Sequence, residues 1–374
     1  MKPVIALATG DPFGIGPEIC LKAAVRPDVL GVCRPILVGD RAHLIAEARL
    51  IQSAGASYAA SHAAPPAHPA IGAYGAQAVN LPDPAVWPEV SISGFAEMGS
   101  KQGADFLLEK WHDGPAILDM GAIDEAPRPR GPSAAGGRAA IKYIKQAVGL
   151  ARVGSAAAIV TAPISKRAVH LAGHNWPGHT ELLADLCGAE MEYVAMLFVA
   201  PDLKVALLST HAPLKEAIAN LDRERIVRRL ALLHEEHRRW FGSDPRIGVC
   251  ALNPHAGEEG LFGREEEEIL APACEAARSA GIDARGPFPA DTLFTRATRG
   301  EFDLVLALFH DQGTIAVKTH AFGRAVNMTL GLPLLRTSVD HGTAFDIAGT
   351  GVADPTSLAE AILLAARLAP RAGL

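Results

Sequence analysis

Cysteines are few in this chain, and none are paired in a motif. The five are scattered, without any C-x-x-C spacing, at Cys20, Cys33, Cys187, Cys250 and Cys274. The pattern excludes a disulfide framework and a cysteine-ligated metal site, and it offers no obvious nucleophile. An odd, dispersed set is typical of reduced thiols, so we expect a cytoplasmic protein.

Excess charge of either sign is also missing. The 374 residues carry 35 Lys and Arg against 41 Asp and Glu, a formal net charge of -6, and no basic block occurs. Nucleic acid and anionic membrane surfaces are therefore poor candidates for the main partner. We expect a small-molecule ligand instead.

Long apolar runs are absent as well. Residues 1–8 carry one lysine and are too short for a signal peptide, and no later run approaches the length of a membrane span. Hydrophobic residues nevertheless make up 49% of the chain, which is enough for the cores of two modest domains.

Alternating short apolar runs and helical patterns predict an α/β fold. We predict strands at Val4 to Thr9, Pro35 to Gly39 and Ala157 to Ala162, and a hairpin from Val194 to Thr210 that turns at Pro201-Asp202. Helices are predicted at Ala139 to Leu150, Asp222 to Trp240, Arg264 to Ala280 and Pro355 to Ala369. The four acids Glu265 to Glu268 begin one of these helices, where we expect them to face solvent.

Three apolar runs each lead to a histidine, at His211, His255 and His310. In an open α/β sheet ligands bind beyond the carboxyl ends of the strands, so these imidazoles can converge on one divalent cation. The alternative is three separate histidines, each with a local hydrogen bond.

Two further groups of residues suit an anionic substrate. The run Gly178-His179-Thr180-Glu181 opens a helix and offers a histidine and a hydroxyl beside free backbone amides. Lys318, Asn327 and Arg336 follow at nine-residue intervals and can contact a phosphate. The alternatives are a threonine N-cap with a surface histidine, and ordinary surface residues.

Two acids stand near these groups, Asp291 and Asp311. Either can orient a metal-binding histidine or a substrate amine, and the alternative is a solvated turn residue. Asp311 is favoured because it adjoins His310.

The segment from His341 to Gly349 does not match the G-x-G-x-x-G dinucleotide fingerprint. It resembles the adenosine-binding loop of the isocitrate and isopropylmalate dehydrogenase superfamily. That resemblance implies a nicotinamide cofactor and points to His341, Gly342, Thr343, Ala344 and Asp346 as cofactor-binding residues.

Several motifs then occur together and in order: Gly10-Asp11-Pro12, Thr161–Lys166, Gly178–Glu181, Leu252–Glu258, Pro289–Thr292, His310–Gly313 and Thr337–Ala344. With them the chain resembles the 4-hydroxythreonine-4-phosphate dehydrogenase family from residue 3 to about residue 368. The resemblance implies a two-domain α/β/α architecture with the active site in the interdomain cleft, and a homodimer with shared active sites.

The same resemblance implies roles for particular residues. A divalent metal would be held by His211, His255 and His310, with zinc preferred and cobalt, nickel, magnesium or manganese as alternatives. Substrate binding would fall to His179, Thr180, Asp291, Lys318, Asn327 and Arg336. Catalytic roles would fall to His179, Asp311 and Lys318.

We expect one domain from residues 1–165 with 320–374, on the cofactor side and with an insertion around 55–130. Residues 166–319 would form the second domain, on the metal and dimer side.

The expected reaction is a metal-dependent oxidation of 4-hydroxythreonine 4-phosphate by NAD or NADP, followed by decarboxylation of the 3-oxo acid. Relatives that oxidise phosphorylated threonate or erythronate, or carboxylated aromatic cis-dihydrodiols, leave those substrates as alternatives. A non-catalytic metal- or phosphate-binding protein and a zinc hydrolase are alternatives of other classes.

Overall fold

The computed structural model describes residues 2–61, 81, 85, 87, 89–90, 114–123 and 130–372. Most of the insertion expected around 55–130 lies outside these residues. The described chain is a mixed α/β protein, which confirms the expected fold class. It divides into a first unit, Met1–Leu186 with Pro333–Leu374, and a second unit, Cys187–Leu332.

The strands of the first unit are β1 (Val4–Ala8), β2 (Arg34–Gly39), β3 (Glu89–Val90), β4 (Ala116–Asp119), β5 (Ala158–Thr161) and β12 (Arg336–Ser338). They lie in the order β3-β4-β2-β1-β5-β12, and each neighbouring pair is parallel. All five residues of β1 are buried, as expected for a central strand covered on both faces.

The helices of the first unit are α1 (Gly16–Ala24), α2 (Pro27–Val32), α3 (Arg41–Ser61), α4 (Ala134–Arg152), α5 (Lys166–Leu171), α6 (His179–Cys187) and α12 (Thr356–Leu368). Local sequence explains several of their ends. Pro17 stands in the first turn of α1, and the Ser133 hydroxyl caps α4 by accepting from the Gly136 amide at 3.0 Å.

The strands of the second unit are β6 (Ala195–Val199), β7 (Lys204–Leu207), β8 (Ile247–Cys250), β9 (Ala284–Phe288), β10 (Leu304–Ala307) and β11 (Val326–Leu330). Their order is β11-β6-β7-β10-β8-β9. The predicted hairpin is confirmed, because β6 and β7 pair antiparallel around Pro201-Asp202. Strand β10 is parallel to both β7 and β8, and β8 is parallel to β9.

The α-helices of the second unit are α7 (Leu214–Ala219), α8 (Arg223–Phe241), α9 (Ala271–Ser279), α10 (Ala290–Thr298) and α11 (His310–Ala321). Asp222 caps α8 by accepting from the Arg225 amide, and Gly242 ends it in the left-handed conformation at φ 83°. Among the described helices, none combines the length and apolar character needed to cross a bilayer.

The predicted helix from Arg264 to Ala280 begins with a π-helical turn at Glu266–Leu270 and continues as α9. The expectation that its four leading acids all face solvent is wrong for Glu266, which is only 3% exposed. Its carboxylate accepts hydrogen bonds from the backbone amides of Leu252 and Asn253 at 2.8 and 2.7 Å. These hydrogen bonds from Leu252 and Asn253 therefore compensate for the cost of burying the Glu266 carboxylate.

Candidate functional site

Three neighbouring parallel strands of the second unit lead to the three predicted metal ligands. Strand β10 lies between β7 and β8 and is parallel to both. The chain passes from β7 to His211, from β8 to His255 and from β10 to His310. Because the carboxyl ends of parallel strands meet at one edge of a sheet, all three histidines are delivered to the same edge.

Two of these imidazoles lie side by side. The ring centroids of His211 and His310 are 5.8 Å apart. Two imidazoles on one tetrahedral zinc ion, with metal–nitrogen bonds of about 2.0 Å, place their ring centroids about 5 Å apart. A small side-chain adjustment would therefore let both rings reach one cation.

The Asp311 carboxylate orients the His310 ring. His310 is the first residue of α11, and its Nδ1 lies 2.6 Å from Asp311 Oδ1. With Nδ1 engaged, Nε2 is the nitrogen left to meet a metal, an arrangement common in histidine-ligated sites. The donor chemistry of this pair fits a divalent transition metal.

His255 stands apart from that pair in its backbone. Its φ is 53°, in the left-handed region, and its ring faces Phe262 at a centroid distance of 6.5 Å. Within the described ranges, no three His, Cys, Asp or Glu side chains are already grouped closely enough to hold one ion.

A second set of predicted residues meets in the interior of the first unit. Arg336, on β12, is 1% exposed, and its Nη2 donates to Thr161 Oγ1 at 2.7 Å. Strand β5 ends at Thr161 and lies beside β12. Burial lowers the pKa of the Arg336 guanidinium to about 9, so the group stays charged at neutral pH.

His179 begins α6 and is influenced by the same arginine. Burial, and next the Arg336 charge, lower the pKa of His179 to about 3. Its Nε2 atom is buried and has no hydrogen-bond partner in the described part of the chain. Thr180 follows it and is half-buried. A neutral imidazole with an unused nitrogen is suited to hydrogen-bond a ligand.

The other predicted substrate residues belong to the second unit. Asp291 is exposed in the first turn of α10, and Lys318 is exposed on α11. Asn327 lies on β11 opposite Phe198 of β6, and its Oδ1 is buried without a partner among the described residues. Such an atom is costly unless a ligand or water satisfies it.

The predicted cofactor loop belongs to the first unit and forms neither helix nor strand from His341 to Gly349. Its Thr343 carbonyl accepts from the Ile15 amide at 2.9 Å, and Ala344 has φ 40°. Asp346 is exposed, and Gly342 presents no side chain.

The sequence analysis named Asp11 in the Gly10-Asp11-Pro12 motif but gave it no role, whereas the structure marks it out. Asp11 is fully buried, and its Oδ1 accepts from the Phe13 amide at 3.1 Å, whereas Oδ2 has no partner among the described residues. Burial raises the pKa of this carboxyl to about 6. An acid three residues after the end of β1 was the available signal.

Comparisons with known proteins relate almost the whole chain to one family. Residues 31–365 match the family described as "Pyridoxal phosphate biosynthetic protein PdxA". A D-threonate 4-phosphate dehydrogenase of Cupriavidus necator is 42% identical over 370 residues, 99% of this chain and 98% of that protein. A 4-hydroxythreonine-4-phosphate dehydrogenase of Geobacter metallireducens is 42% identical over 369 residues, 98% of this chain and 96% of the other.

A solved structure is similar as well. The 4-hydroxythreonine-4-phosphate dehydrogenase from Klebsiella pneumoniae matches with a TM-score of 0.78 at 36% identity, covering 99% of this chain and 100% of that one.

Proposed function

The chain belongs to the PdxA family of dehydrogenases, and from this premise we propose that it oxidises the secondary alcohol of 4-hydroxythreonine 4-phosphate. NAD or NADP would supply the hydride acceptor, and the resulting 3-oxo acid would lose its carboxylate as carbon dioxide. The observation that carries the proposal is the near full-length similarity to a relative of that name at 42% identity. The strand-end histidines support it.

We assign metal binding to His211, His255 and His310, with zinc as the first choice and cobalt, nickel, magnesium or manganese as alternatives. A divalent cation bound there would supply a Lewis acid that favours the alkoxide form of the substrate hydroxyl. The support from this chain is the close pair of rings and the Asp311 contact to His310 Nδ1.

Phosphate binding is assigned to Lys318, Asn327 and Arg336. Arg336 brings a desolvated guanidinium, whose attraction for an anion is stronger than that of an exposed one. Asn327 would contact the phosphate through its Nδ2 group, because an amide donates from nitrogen and phosphate oxygens accept. Anchoring the phosphate would leave the reacting carbon in a fixed position.

Roles in the reaction are assigned to three groups. His179 stays neutral at physiological pH because its pKa is held near 3, so it hydrogen-bonds the substrate rather than neutralising it. Asp311 would accept a hydrogen bond from His310 Nδ1, which would hold the ring with Nε2 toward the cation. The Lys318 ammonium can donate one to the carbon that loses carbon dioxide. Thr180 and Asp291 complete the proposed substrate contacts.

The nicotinamide cofactor would bind along the loop at His341, Gly342, Thr343, Ala344 and Asp346. We also propose a homodimer in which the active sites are shared, which sedimentation of the purified protein would test. These assignments rest on family resemblance, together with the loop's contact to Ile15 at the start of α1.

A second substrate is favoured by a specific observation. The D-threonate 4-phosphate dehydrogenase relative is as similar to this chain as the 4-hydroxythreonine-4-phosphate enzyme, at 42% identity each. The two substrates share the phosphate and the secondary alcohol and differ in an amine against a hydroxyl. The same side chains would serve both.

The deciding experiment follows cofactor reduction in metal-loaded protein supplied with NAD or NADP. The substrates are 4-hydroxythreonine 4-phosphate, D-threonate 4-phosphate, D-erythronate 4-phosphate and a carboxylated cis-dihydrodiol. Turnover of the first with carbon dioxide release supports the proposal. Turnover of the second alone reassigns the substrate, and no turnover of any contradicts a dehydrogenase role.

A further inference from the structure

We propose that Glu266 is the positioning residue of His255: its buried carboxylate holds the left-handed turn that presents this imidazole at the sheet edge. The inference rests on the proposed role of His255 as a metal ligand. It concerns a side chain that the sequence pattern placed in solvent and the structure places in the interior.

The turn at His255–Gly260 has an unusual backbone. Its φ values, in order, are 53°, 56°, 84°, 44°, 56° and 86°, all in the left-handed region. Residues with a Cβ atom disfavour this conformation, and here it includes His255, Ala256, Glu258 and Glu259. A run of such residues persists only where its surroundings enforce it.

Glu266 supplies that enforcement at the entrance to the turn. Oε1 accepts from the amides of Leu252 and Asn253 at 2.8 and 2.7 Å, and Oε2 accepts from Asn253 Nδ2 at 2.9 Å. One buried carboxylate therefore fixes two successive backbone amides and the side chain that directly precede Pro254 and His255.

The same carboxylate also packs against the turn itself. A Cβ atom built on Gly257 would lie 2.9 Å from Glu266 Oε2, so the carboxylate rests against the backbone two residues after His255. Glu266 thus contacts the segment on both sides of the histidine.

Of the neighbouring acids, Glu265 shares only the Asn253 side chain, accepting from its Nδ2 at 2.7 Å. Glu267 and Glu268 are exposed and face Arg264 at 3.7 and 3.2 Å. Glu266 and these two acids all lie in the π-helical turn Glu266–Leu270, a local geometry that is often found near functional sites. Glu267 therefore provides a matched control from the same turn.

Both oxygens of Glu266 already accept hydrogen bonds from residues 252 and 253. Its influence on a cation would therefore pass through His255, and its loss should matter only while His255 is present. This dependence separates a positioning residue from one that merely stabilises the fold.

The first arm of the test uses metal-free protein and hydrogen exchange measured by mass spectrometry. Glu266→Ala should speed amide exchange across residues 252–262 at least about tenfold, because two donors lose their acceptor. Glu266→Gln keeps one acceptor oxygen and should show a smaller increase. Glu267→Gln should leave this segment unchanged, and unchanged exchange in both Glu266 variants would overturn the proposal.

The second arm measures cobalt(II) affinity from the visible absorption of the bound ion. Changing a residue that orients a ligand costs roughly tenfold to a hundredfold in affinity. We expect about a hundredfold loss for Glu266→Ala, about tenfold for Glu266→Gln and no change for Glu267→Gln. In a His255→Ala background, Glu266→Gln should cause no further loss.

The outcomes separate the two proposals. An equal loss of cobalt affinity from Glu266→Gln with and without His255 overturns positioning through His255. If the wild-type protein binds no cobalt, the proposed metal function fails, and the exchange arm alone then decides whether Glu266 holds the turn.

Discussion

Histidines occur in two contrasting settings in this protein. In the first unit, His179 is held neutral by burial and by the Arg336 charge, with its pKa near 3. In the second unit, His211 and His255 are exposed, and His310 is half-buried with its Nδ1 against Asp311. The half-buried, neutral imidazole of His179 is suited to hydrogen-bond a substrate, whereas imidazoles at the strand ends are suited to bind a cation.

The difference shows that the residue type alone does not decide the chemistry. A buried histidine near an arginine loses its capacity to carry charge, because desolvation and repulsion both disfavour the protonated ring. A histidine exposed at a strand end keeps its contact with solvent, so its ring can still be protonated or bind a metal ion. Substitutions at buried groups of the first unit and at the strand ends of the second test this contrast.

The largest effect is expected from His310→Ala. It removes one ring of the pair whose centroids are 5.8 Å apart. Losing the Lewis acid forfeits several kcal/mol of stabilisation, so kcat/KM should fall about 10³-fold and zinc content should drop in parallel. His320→Ala, on the same helix and next to Asp202 at 2.6 Å, is the control and should retain activity. Full activity in His310→Ala would contradict the assignment.

Arg336→Lys tests the interior setting. It keeps the charge but loses the fork geometry that meets Thr161 and a phosphate. Losing a charged hydrogen bond of roughly 1.5–3 kcal/mol should raise KM for the phosphorylated substrate tenfold to a hundredfold, with a smaller effect on kcat. Steady-state kinetics check this, with Arg26→Lys as control, because Arg26 is half-buried and pairs with Asp28. An unchanged KM would remove Arg336 from phosphate binding.

Asp11→Asn tests burial without a nearby charge. The folded pKa of Asp11 is raised to about 6 from 3.8, so the stability linked to its protonated form is complete below pH 3.8 and is lost as pH rises through 6. Asparagine cannot ionise, so the variant should gain about 2 kcal/mol relative to wild type between pH 4 and pH 7.

Urea unfolding at both pH values measures this difference. His179 acts with the opposite sign, since its lowered pKa makes stability rise with pH between about 3 and 6.5. That contribution is common to both proteins and cancels in the comparison. A difference that is constant with pH would show that Asp11 does not titrate as described.

The smallest effect is expected from Asp311→Asn. The carboxylate that contacts His310 Nδ1 at 2.6 Å is replaced by a neutral amide, which orients the ring less strongly. Zinc affinity should fall about tenfold, measured by competition with a chelator. Asp202→Asn removes a comparable carboxylate from His320 and should leave zinc affinity unaltered.

Much of the fold was predictable because local patterns and tertiary structure agree. The apolar run at the amino terminus forms β1 at Val4–Ala8, and the Pro201-Asp202 turn joins β6 and β7. The run that opens with Gly178 leads into α6 at His179–Cys187. In each case hydrophobic periodicity and turn residues identified the same element as long-range packing.

The environments of Glu266, His179 and Arg336 were less predictable. Glu266 lies in a row of four glutamates, and the pattern predicts that all four face solvent at the start of a helix. Its carboxylate instead accepts hydrogen bonds from the backbone amides of residues 252 and 253. Arg336 and His179 are far apart in sequence, and no local pattern predicts that the Arg336 charge lowers the pKa of His179. Such pairings depend on how helices, loops and strands pack in three dimensions, which local sequence does not record.

By itself the sequence determined the α/β class, the family, and the placement of three histidines after apolar strands. These properties depend on local residue order, which hydrophobic period and motif spacing record directly. Only the tertiary structure decided that β10 lies between β7 and β8, that Glu266 is buried and that His179 is neutral. Strand order, desolvation and Coulomb interactions arise between residues distant along the chain, so no local pattern encodes them.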